Sequence, residues 1–527
     1  MFSFLKGKKT KESSNNLKED KVEEIEEQEE EEEEYSIIFK IIKKVNNNKQ
    51  QQEINDNSEL FFKLLKNQYI KNEIFKQCKL YKQYSNEKYL VQDYKEFSEI
   101  KEINCYIKEL NFKKVDPFLG FNDLINEIKI PKTIEIISFG FDKQSFKDIN
   151  LGLILPKSIS TLKIGKYPKQ VILEPTDIPK HIKKLVLEEG FENQRTYSKT
   201  KYVSTIPFIP STVKTLVINS TYFGTRLGEI PKSLTTLDIG LSGHARVFDK
   251  GYLPRDSTSL TDIKIGNCMN NQWLQAGDIP NCVRVIRFNN GFDQPLKRGI
   301  IPSGVTKVLF NKGSNFNCPL EVGSFPSTCT EIQFGSSFSQ DIKQGHLPDN
   351  LISLNLGHYF NRDFILPSTS ATLKTLILSI NFNLPLKVGD LPTSLEHLEF
   401  GDEFNKPLAK GVLPPNLTFL KLSKYFAQQL KAGDLPSSIK TLIISSVKLN
   451  ESMIKAIPSS VTYLILSYLP STINKYTSLL QPISTTLNHL EYFYSQDENP
   501  IDFTQLPNGL KVTYSNNKSP KTIIINN

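Results

Sequence analysis

The stretch that decides the fold is FNLPLKVGDLPTSLEHLEFG, which runs from Phe382 to Gly401. A second stretch, FNKPLAKGVLPPNLTFLKLS from Phe404 to Ser423, repeats it with the same spacing. Both follow the pattern F-N-x-P-L-x-x-G-x-L-P-x-S/N-L-x-x-L-x-F/L. Two neighbouring copies of so detailed a pattern predict a repeated structural unit.

Prolines that mostly follow Ile or Leu carry the period outward from these two copies. Seventeen of them lie between Pro131 and Pro507, and their most frequent spacing is 22 residues. Self-similarity with a period of roughly 20 to 29 residues is typical of a solenoid of the leucine-rich-repeat size class. A chain of 527 residues is also too long for one ordinary hydrophobic core, which favours a repeated architecture.

Alternating polarity within the unit predicts a short strand. Leu398 and Phe400 point inward while His397 and Glu399 point outward, which is the period of two that a β-strand shows. Stacked copies of this strand predict a parallel sheet, whose strands lie about 4.8 Å apart along an elongated surface.

The remaining positions of the unit predict its corners and core. Gly389 and Gly411 stand three residues before a proline, where a tight reversal needs positive φ. Pro392 and Pro414 fix φ at the corner that leads into the strand. The residue two after proline is small or polar in most units, which predicts a ladder of bonds to neighbouring backbone. Phe404 and its equivalents predict a second ladder, of aromatic rings, in the core.

The pattern resembles the FNIP repeat, a family of repeats known chiefly from amoebozoan proteins and related to leucine-rich repeats. Further copies are FDQPL at Phe292–Leu296 and FNCPL at Phe316–Leu320, and the resemblance extends over about residues 121–512. It implies a mostly β, leucine-rich-repeat-like solenoid of about 17 turns of about 22 residues with a parallel sheet.

Composition divides the chain into four regions. Residues 1–57 are acidic and then rich in Asn and Gln; residues 12–34 alone have a net charge of −11, which predicts disorder. Residues 58–115 are predicted to be a small helical segment, 116–515 the repeat solenoid, and 516–527 a C-terminal tail.

Helical spacing in the second region leaves two interpretations open. Leu60, Phe61, Leu64 and Leu65 recur at three- and four-residue intervals without an intervening proline. The segment either caps the open end of the solenoid or docks another protein, as an F-box-like helix set does in a ubiquitin ligase. It lacks the Leu-Pro opening of a typical F-box.

No catalytic constellation stands out in the sequence. Phosphate-binding, nucleophile-elbow, zinc-protease and kinase motifs are all missing, and the six histidines are scattered over different repeats. The six cysteines form no zinc spacing, which indicates reduced structural thiols. The sequence therefore predicts no enzyme activity, no metal and no cofactor. With no apolar secretory segment near Met1, we expect a cytoplasmic protein.

Charge and hydropathy argue against two classes of partner. The pI is about 8.8, yet the outward strand positions mix signs and form no basic stripe of the kind that nucleic-acid binding needs. No stretch approaches the roughly 18 apolar residues of a membrane helix. We expect neither nucleic-acid nor membrane binding.

These observations favour a non-enzymatic scaffold that binds a protein along its repeat surface, with a ubiquitin-ligase adaptor as the alternative. Two partner-binding candidates follow. One is an insertion at Arg195–Tyr202 (RTYSKTKY), which includes Arg195, Tyr197 and Tyr202. The other is a set of apolar residues at outward strand positions of the C-terminal repeats, where a patch would anchor a partner unless strand packing or residues 522–525 cover it: Ile377, Phe419, Ile443, Tyr463 and Ile465. The sequence specifies neither the partner nor the oligomeric state.

Overall fold

The structure is a computed structural model of the chain. It describes residues 88–91, 109–112, 134–139, 155–165, 178–188, 209–219, 231–239, 257–266, 274–366, 372–466, 487–493, 510–515 and 521–525. The predicted acidic region, residues 1–57, lies outside the described residues.

The chain divides into two compact units, and the first contains the strands nearest the N-terminus. These are β1 (Lys88–Val91), β2 (Glu109–Phe112) and β3 (Ile136–Phe139). β1 pairs with β2 in parallel, and β2 pairs with β3.

Strands β1 and β2 correct the helical prediction at their positions within residues 58–115. Leu110 and Phe112 alternate with polar residues in β2, whereas the KYLV sequence of β1 shows no alternation. Strands of only four residues are too short for the helical spacing around them to exclude. The docking hypothesis required helices here; the rest of this segment lies outside the described residues.

The second unit is a stack of short strands at the period of the repeat. Strands β4 to β19 are parallel, and β20 pairs antiparallel with β19 as an edge strand. The strands are β4 (Thr161–Ile164), β5 (Lys184–Leu187), β6 (Thr215–Ile218), β7 (Thr236–Ile239), β8 (Asp262–Ile265), β9 (Val285–Phe288), β10 (Lys307–Phe310), β11 (Glu331–Gln333), β12 (Ser353–Asn355), β13 (Thr375–Ile377), β14 (His397–Glu399), β15 (Phe419–Leu422), β16 (Thr441–Ile444), β17 (Tyr463–Leu466), β18 (His489–Phe493), β19 (Lys511–Ser515) and β20 (Lys521–Ile524).

From β6 to β17 each strand buries alternate residues, as predicted. In β5, three consecutive residues, Leu185 to Leu187, are buried. Leu398, Leu420 and Leu442 are fully buried and stand in register on consecutive strands. Residues on either side of them along each strand are partly exposed and form the outer face of the sheet. The solenoid core therefore lies on one side of the sheet and leaves the other side accessible.

A ladder of phenylalanine rings fills the core, which confirms the prediction. Consecutive rings are nearly parallel, with centroids 6.0 Å apart between Phe316 and Phe338 and 6.1 Å apart between Phe382 and Phe404. Between Phe360 and Phe382 the ladder continues through Phe364, whose ring lies 6.3 and 5.6 Å from theirs. Phe364 stands at the position that Ile342 has in the preceding turn, forms a β-bridge with it, and so adds a ring to the ladder.

The corners also confirm the roles predicted from sequence. Gly389 and Gly411 have φ values of 96° and 87°, a region that L side chains rarely adopt. The hydroxyl two residues after proline donates to the preceding turn: Ser394 Oγ to the Leu373 carbonyl oxygen (2.8 Å) and Ser438 Oγ to that of Leu417 (2.6 Å).

A third ladder was not predicted and explains the asparagine that follows phenylalanine in the repeat. Asn383 Oδ1 accepts from the Asn405 backbone N–H at 2.9 Å, and Asn405 Oδ1 accepts from the Ala427 N–H at the same distance. Asn361 and Asn383 make the equivalent bond at 3.0 Å. Because the amide oxygen accepts from the next turn rather than from its own, residue preferences within one repeat do not predict this hydrogen bond.

In the last repeat of residues 372–466, a short helix, α1 (Glu451–Lys455), replaces the F-N-x-P-L segment. Asn450 caps it by accepting from the Met453 N–H at 3.1 Å, and Met453 and Ile454 are buried. A helix here takes the place of the irregular segment found in other repeats. The proline spacing alone cannot distinguish the two conformations.

The predicted number of turns was wrong. The structure supports about 11 turns of about 22 residues, whereas the proline count predicted about 17. A proline marks only the corner that precedes a strand, and outside residues 274–466 the structure describes little more than the corner and strand of each repeat.

Candidate interaction surface

Two rows of side chains cross the outer face of the sheet. The first row passes through His397, Phe419, Thr441, Tyr463 and His489, which pair in register on β14 to β18. The second row, two residues further along each strand, is Glu399, Lys421, Ile443, Ile465 and Glu491. We call these ten residues the outer-face cluster; all are partly exposed.

An aromatic ring stacks on a histidine at one end of the cluster. The rings of His397 and Phe419 lie 4.0 Å apart between centroids at an angle of 6°. His397 Nε2 donates to Glu399 Oε1 at 2.9 Å, which fixes the ring across the strand. Phe419 is therefore held in place before any partner arrives.

A second stack stands at the other end. The Tyr463 and His489 centroids are 4.5 Å apart at an angle of 27°, and the Tyr463 hydroxyl donates to Glu491 Oε2 at 2.9 Å. Burial and this bond to a carboxylate raise the pKa of Tyr463. Burial lowers the pKa of His489, and the nearby Lys511 ammonium adds to the shift. His489 is thus favoured in its neutral form, which suits a ring stacked on an aromatic neighbour.

Glu399 links the first stack to the second row. The hydrogen bond from His397 is the main cause that lowers its pKa; partial burial opposes the shift, and Lys421 Nζ, 3.3 Å from Glu399 Oε2, reinforces it. The Glu399 carboxylate therefore stays charged, and it orients the side chains of both His397 and Lys421.

The structure brings together four of the five apolar candidates. Phe419 and Tyr463 flank Thr441 in the first row, and Ile443 pairs directly with Ile465 in the second. Ile377 lies apart, because Glu399 and Lys421 stand between it and Ile443 in the same row. Sequence spacing placed Ile377 on the right face, but only the register shows that charges separate it.

Two other features predicted from sequence have different outcomes. Residues 522–525 do not lie across the cluster, because β20 pairs edge to edge with β19 beyond β18. The loop candidates Arg195, Tyr197 and Tyr202 lie outside the described residues.

Metal-binding and thiol chemistry gain no support from the described part of the chain. No group of three or more His, Cys, Asp or Glu side chains there could hold a metal ion. Cys282, Cys318 and Cys329 are unpaired. Burial is the main cause that raises the pKa of both Cys318 and Cys329 to about 12, which keeps these thiols protonated. Among the helices of the described residues, none has the length and apolar character that crossing a bilayer requires.

The stacked parallel strands define a leucine-rich-repeat-like solenoid, and comparison with solved structures agrees. The chain is similar to CroV588, a circular LRR protein of known crystal structure, with a TM-score of 0.57 and 24% sequence identity. The match covers 77% of this chain and 59% of CroV588. At this identity the likeness concerns the fold alone.

The repeats between residues 270 and 469 are FNIP repeats, as the resemblance predicted. The FNIP Repeat family model matches residues 270–313, 313–337, 338–380, 382–425 and 426–469, a narrower range than the 121–512 predicted. An FNIP repeat-containing protein of Dictyostelium discoideum is 29% identical over 283 residues, which cover 52% of this chain and 65% of the relative. This chain therefore aligns with just under two thirds of that relative's length.

A second similar protein is a probable serine/threonine-protein kinase of Dictyostelium discoideum. It is 37% identical over 62 residues, which are 12% of this chain and 8% of the kinase. So small a share of the kinase carries no argument for catalysis in this chain. A repeat solenoid of this class is typically not an enzyme.

Proposed function

We propose that this protein is a non-enzymatic scaffold that binds a partner protein through the outer-face cluster of β14 to β18. The observation that carries the proposal is the arrangement of Phe419 and Tyr463, each stacked on a histidine, in the row next to the Ile443–Ile465 pair. Aromatic side chains that are already ordered lose little entropy on binding, and they are frequent hot spots of interfaces.

The contrast with the rest of the outer face supports this location. Elsewhere on the face, neighbouring turns neutralise each other through ion pairs, such as Lys264 with Asp238 (3.2 Å) and Arg287 with Asp262 (2.9 Å). At β15 to β17 four of the six outward positions carry apolar side chains that remain partly exposed: Phe419, Ile443, Tyr463 and Ile465. A soluble partner with a complementary apolar surface would cover them, and the charges at Glu399 and Glu491 would form the rim.

A cytoplasmic location is part of the proposal. The unpaired thiols of Cys282, Cys318 and Cys329 are in keeping with a reducing compartment. Fractionation of cells that express the tagged full chain tests this part separately from partner binding.

The experiment that tests the binding site is a charge substitution in the cluster. The full chain with Phe419→Asp and Tyr463→Asp is compared with wild type by affinity purification and mass spectrometry, and the main partner is then titrated as a purified protein. Loss of one aromatic anchor at about 2 kcal/mol predicts a decrease in affinity of about 30-fold, and additive loss of both predicts about 1000-fold.

A matched control uses Thr215→Asp on β6 with Asn355→Asp on β12, which adds the same charge on the outer face, at positions whose ladder partners are neither carboxylates nor members of the cluster. The control should bind like wild type, and all three proteins should have the same circular dichroism spectrum. Full binding by the Phe419/Tyr463 variant, or equal loss in the control, would rule out the cluster as the binding site.

A further inference from the structure

A second surface, independent of the outer-face cluster, runs along the glycine corners of the repeats. We define the corner ridge as the two residues that precede each of seven corner glycines with positive φ: Gly277, Gly299, Gly323, Gly345, Gly389, Gly411 and Gly433. Across residues 274–466 these positions carry six exposed cations and one acid, Glu321. The cations are Lys297, Arg298, Lys343, Lys387, Lys410 and Lys431.

Adjacent turns touch along this ridge, so its side chains form a continuous row. A methyl group built on Gly411 would lie 3.7 Å from Val388 Cγ2, and one built on Gly433 would lie 3.9 Å from Lys410 Cδ. The Arg298 side chain stands in the same relation to Gly323, at 3.3 Å. Arg298, Val388 and Lys410 thus lie against the next corner, and the charged ends of Arg298 and Lys410 extend into solvent. A methyl group on Gly389 would have no neighbour within 4 Å.

The ridge also holds the two most exposed large apolar side chains in the described part of the chain. Val322 and Val388 are 69% and 71% exposed. In the repeat that has no glycine at this corner, Ile365 is 53% exposed, and its N–H donates to the Ile342 carbonyl oxygen in the turn of Lys343. Aliphatic groups are therefore interspersed among the cations along one line.

The ridge cations are not neutralised by the described residues. None of the six forms an ion pair with a residue that the structure describes, whereas outer-face cations such as Lys264 and Lys307 pair across turns. Two carboxylates beside the ridge, Asp390 and Asp434, accept from the N–H groups of Lys387 and Lys431 at 2.7 Å rather than pairing with the ridge cations. Among the described residues, the positive charge of the ridge exceeds its one carboxylate, Glu321, and has no ion-pair partner.

We propose that the corner ridge binds an extended acidic protein segment that contains aliphatic side chains. Carboxylates would meet the lysine and arginine ends, and aliphatic side chains would cover Val322 and Val388. The ridge is two residues wide, which suits a single extended chain. From Arg298 to Lys431 it spans six turn intervals of about 4.8 Å, a length that roughly nine extended residues cover. Nucleic acid would satisfy the charges but offers no aliphatic groups.

Labelled peptides test this directly with the full chain, by fluorescence anisotropy. The first peptide alternates Glu and Val over about twelve residues; in the second Ser replaces Val, and in the third Lys replaces Glu. We expect the first to bind most tightly, the second more weakly and the third not at all. Binding of the first should also weaken as salt concentration rises, because salt screens exposed charges.

Variants locate the site. Lys387→Glu with Lys410→Glu should weaken binding of the Glu-Val peptide at least tenfold, while Lys312→Glu with Lys440→Glu, which changes the net charge equally at exposed positions off the ridge, should stay within about twofold of wild type. Val388→Ser keeps every charge and should also weaken binding of the Glu-Val peptide, but not of the Glu-Ser peptide.

Several outcomes would overturn the proposal. These are no binding of the Glu-Val peptide by wild type, equal loss in both double variants, or equal affinity for the Glu-Val and Glu-Ser peptides. Single-stranded RNA or phosphatidylserine vesicles that bind more tightly than the peptide and lose binding in the ridge variant would assign the ridge to a different class of partner. Melting curves of each variant exclude unfolding as the cause of a loss, and Val388→Ser provides a milder test should the double variant unfold.

Discussion

Replacing Gly411 with Val isolates the conformational requirement of the repeat corner from its packing. Gly411 has a φ of 87°, and a Cβ there would find Val388 Cγ2 at 3.7 Å, an ordinary van der Waals distance. The site therefore has room for a side chain, and the penalty comes from the backbone conformation alone. For a β-branched residue at positive φ we expect a loss of about 1–3 kcal/mol in the free energy of unfolding.

Lys410→Ala is the matched control one residue earlier. Lys410 is exposed and has no ion pair with any residue that the structure describes, so its truncation should change the free energy of unfolding by less than about 0.5 kcal/mol. Gly411→Ala should fall between the two, near 1 kcal/mol, because Ala lacks the branched Cβ.

A third glycine separates the two kinds of constraint. Gly401 is not in the positive-φ region, but a Cβ on it would clash with the Ser379 carbonyl oxygen in the preceding turn. Gly401→Ala should therefore force the two turns apart and destabilise the stack more than Gly411→Ala does, although both substitutions are chemically identical.

Urea unfolding followed by circular dichroism gives the free energies, and amide hydrogen exchange shows which turns open first. In Gly411→Val, amides of residues 401–422 and their neighbours should exchange faster than in wild type. If Gly411→Val and Lys410→Ala unfold within about 0.5 kcal/mol of each other, the argument that positive φ holds the corners is refuted.

Two further predictions concern the ladder and the outer face. Asn405→Ala should destabilise the stack by about 1–3 kcal/mol, because the Ala427 N–H loses its acceptor, whereas Asn405→Asp keeps an acceptor oxygen and should unfold near wild type in urea; equal losses would contradict the ladder. The pKa of Glu399 is lowered, mainly by the hydrogen bond from His397, so the stability advantage of wild type over Glu399→Gln should be full above the ordinary glutamate pKa. It should disappear as pH falls through the lowered pKa, and an advantage that grows on acidification would show that the bond is not the source.

Much of the solenoid was predictable because its constraints lie within one repeat. The inward positions of Leu398 and Phe400, the positive φ of Gly389 and Gly411, and the hydroxyl of Ser394 follow from local periodicity and residue chemistry. Identical positions then stack on one another, so a property of one unit becomes a ladder in the whole.

What could not be predicted depends on contacts between repeats or on short segments. The Asn405 bond to Ala427 joins two turns, and the isolation of Ile377 results from Glu399 on the neighbouring strand. β1 was mistaken for part of a helical segment because its four residues, KYLV, show no decisive period.

The candidate surfaces show the same division. The outward positions of Phe419 and Tyr463 were evident from alternation, but their stacking on His397 and His489 requires the register of neighbouring strands. The corner ridge was missed because a repeat contributes at most two of its cations, and these gather only when the repeats stack.

The ladders also determine how the chain can assemble as it is synthesised. Ser438 bonds to Leu417 across 21 residues, Ala427 to Asn405 across 22, and Thr328 to Val305 across 23. Each turn therefore finds its partners in the turn made just before it, and loop closure is short at every step. At about 5–20 residues per second, a ribosome delivers one repeat every few seconds, and each emerging repeat has a finished template on which to form while the rest of the chain is still unmade.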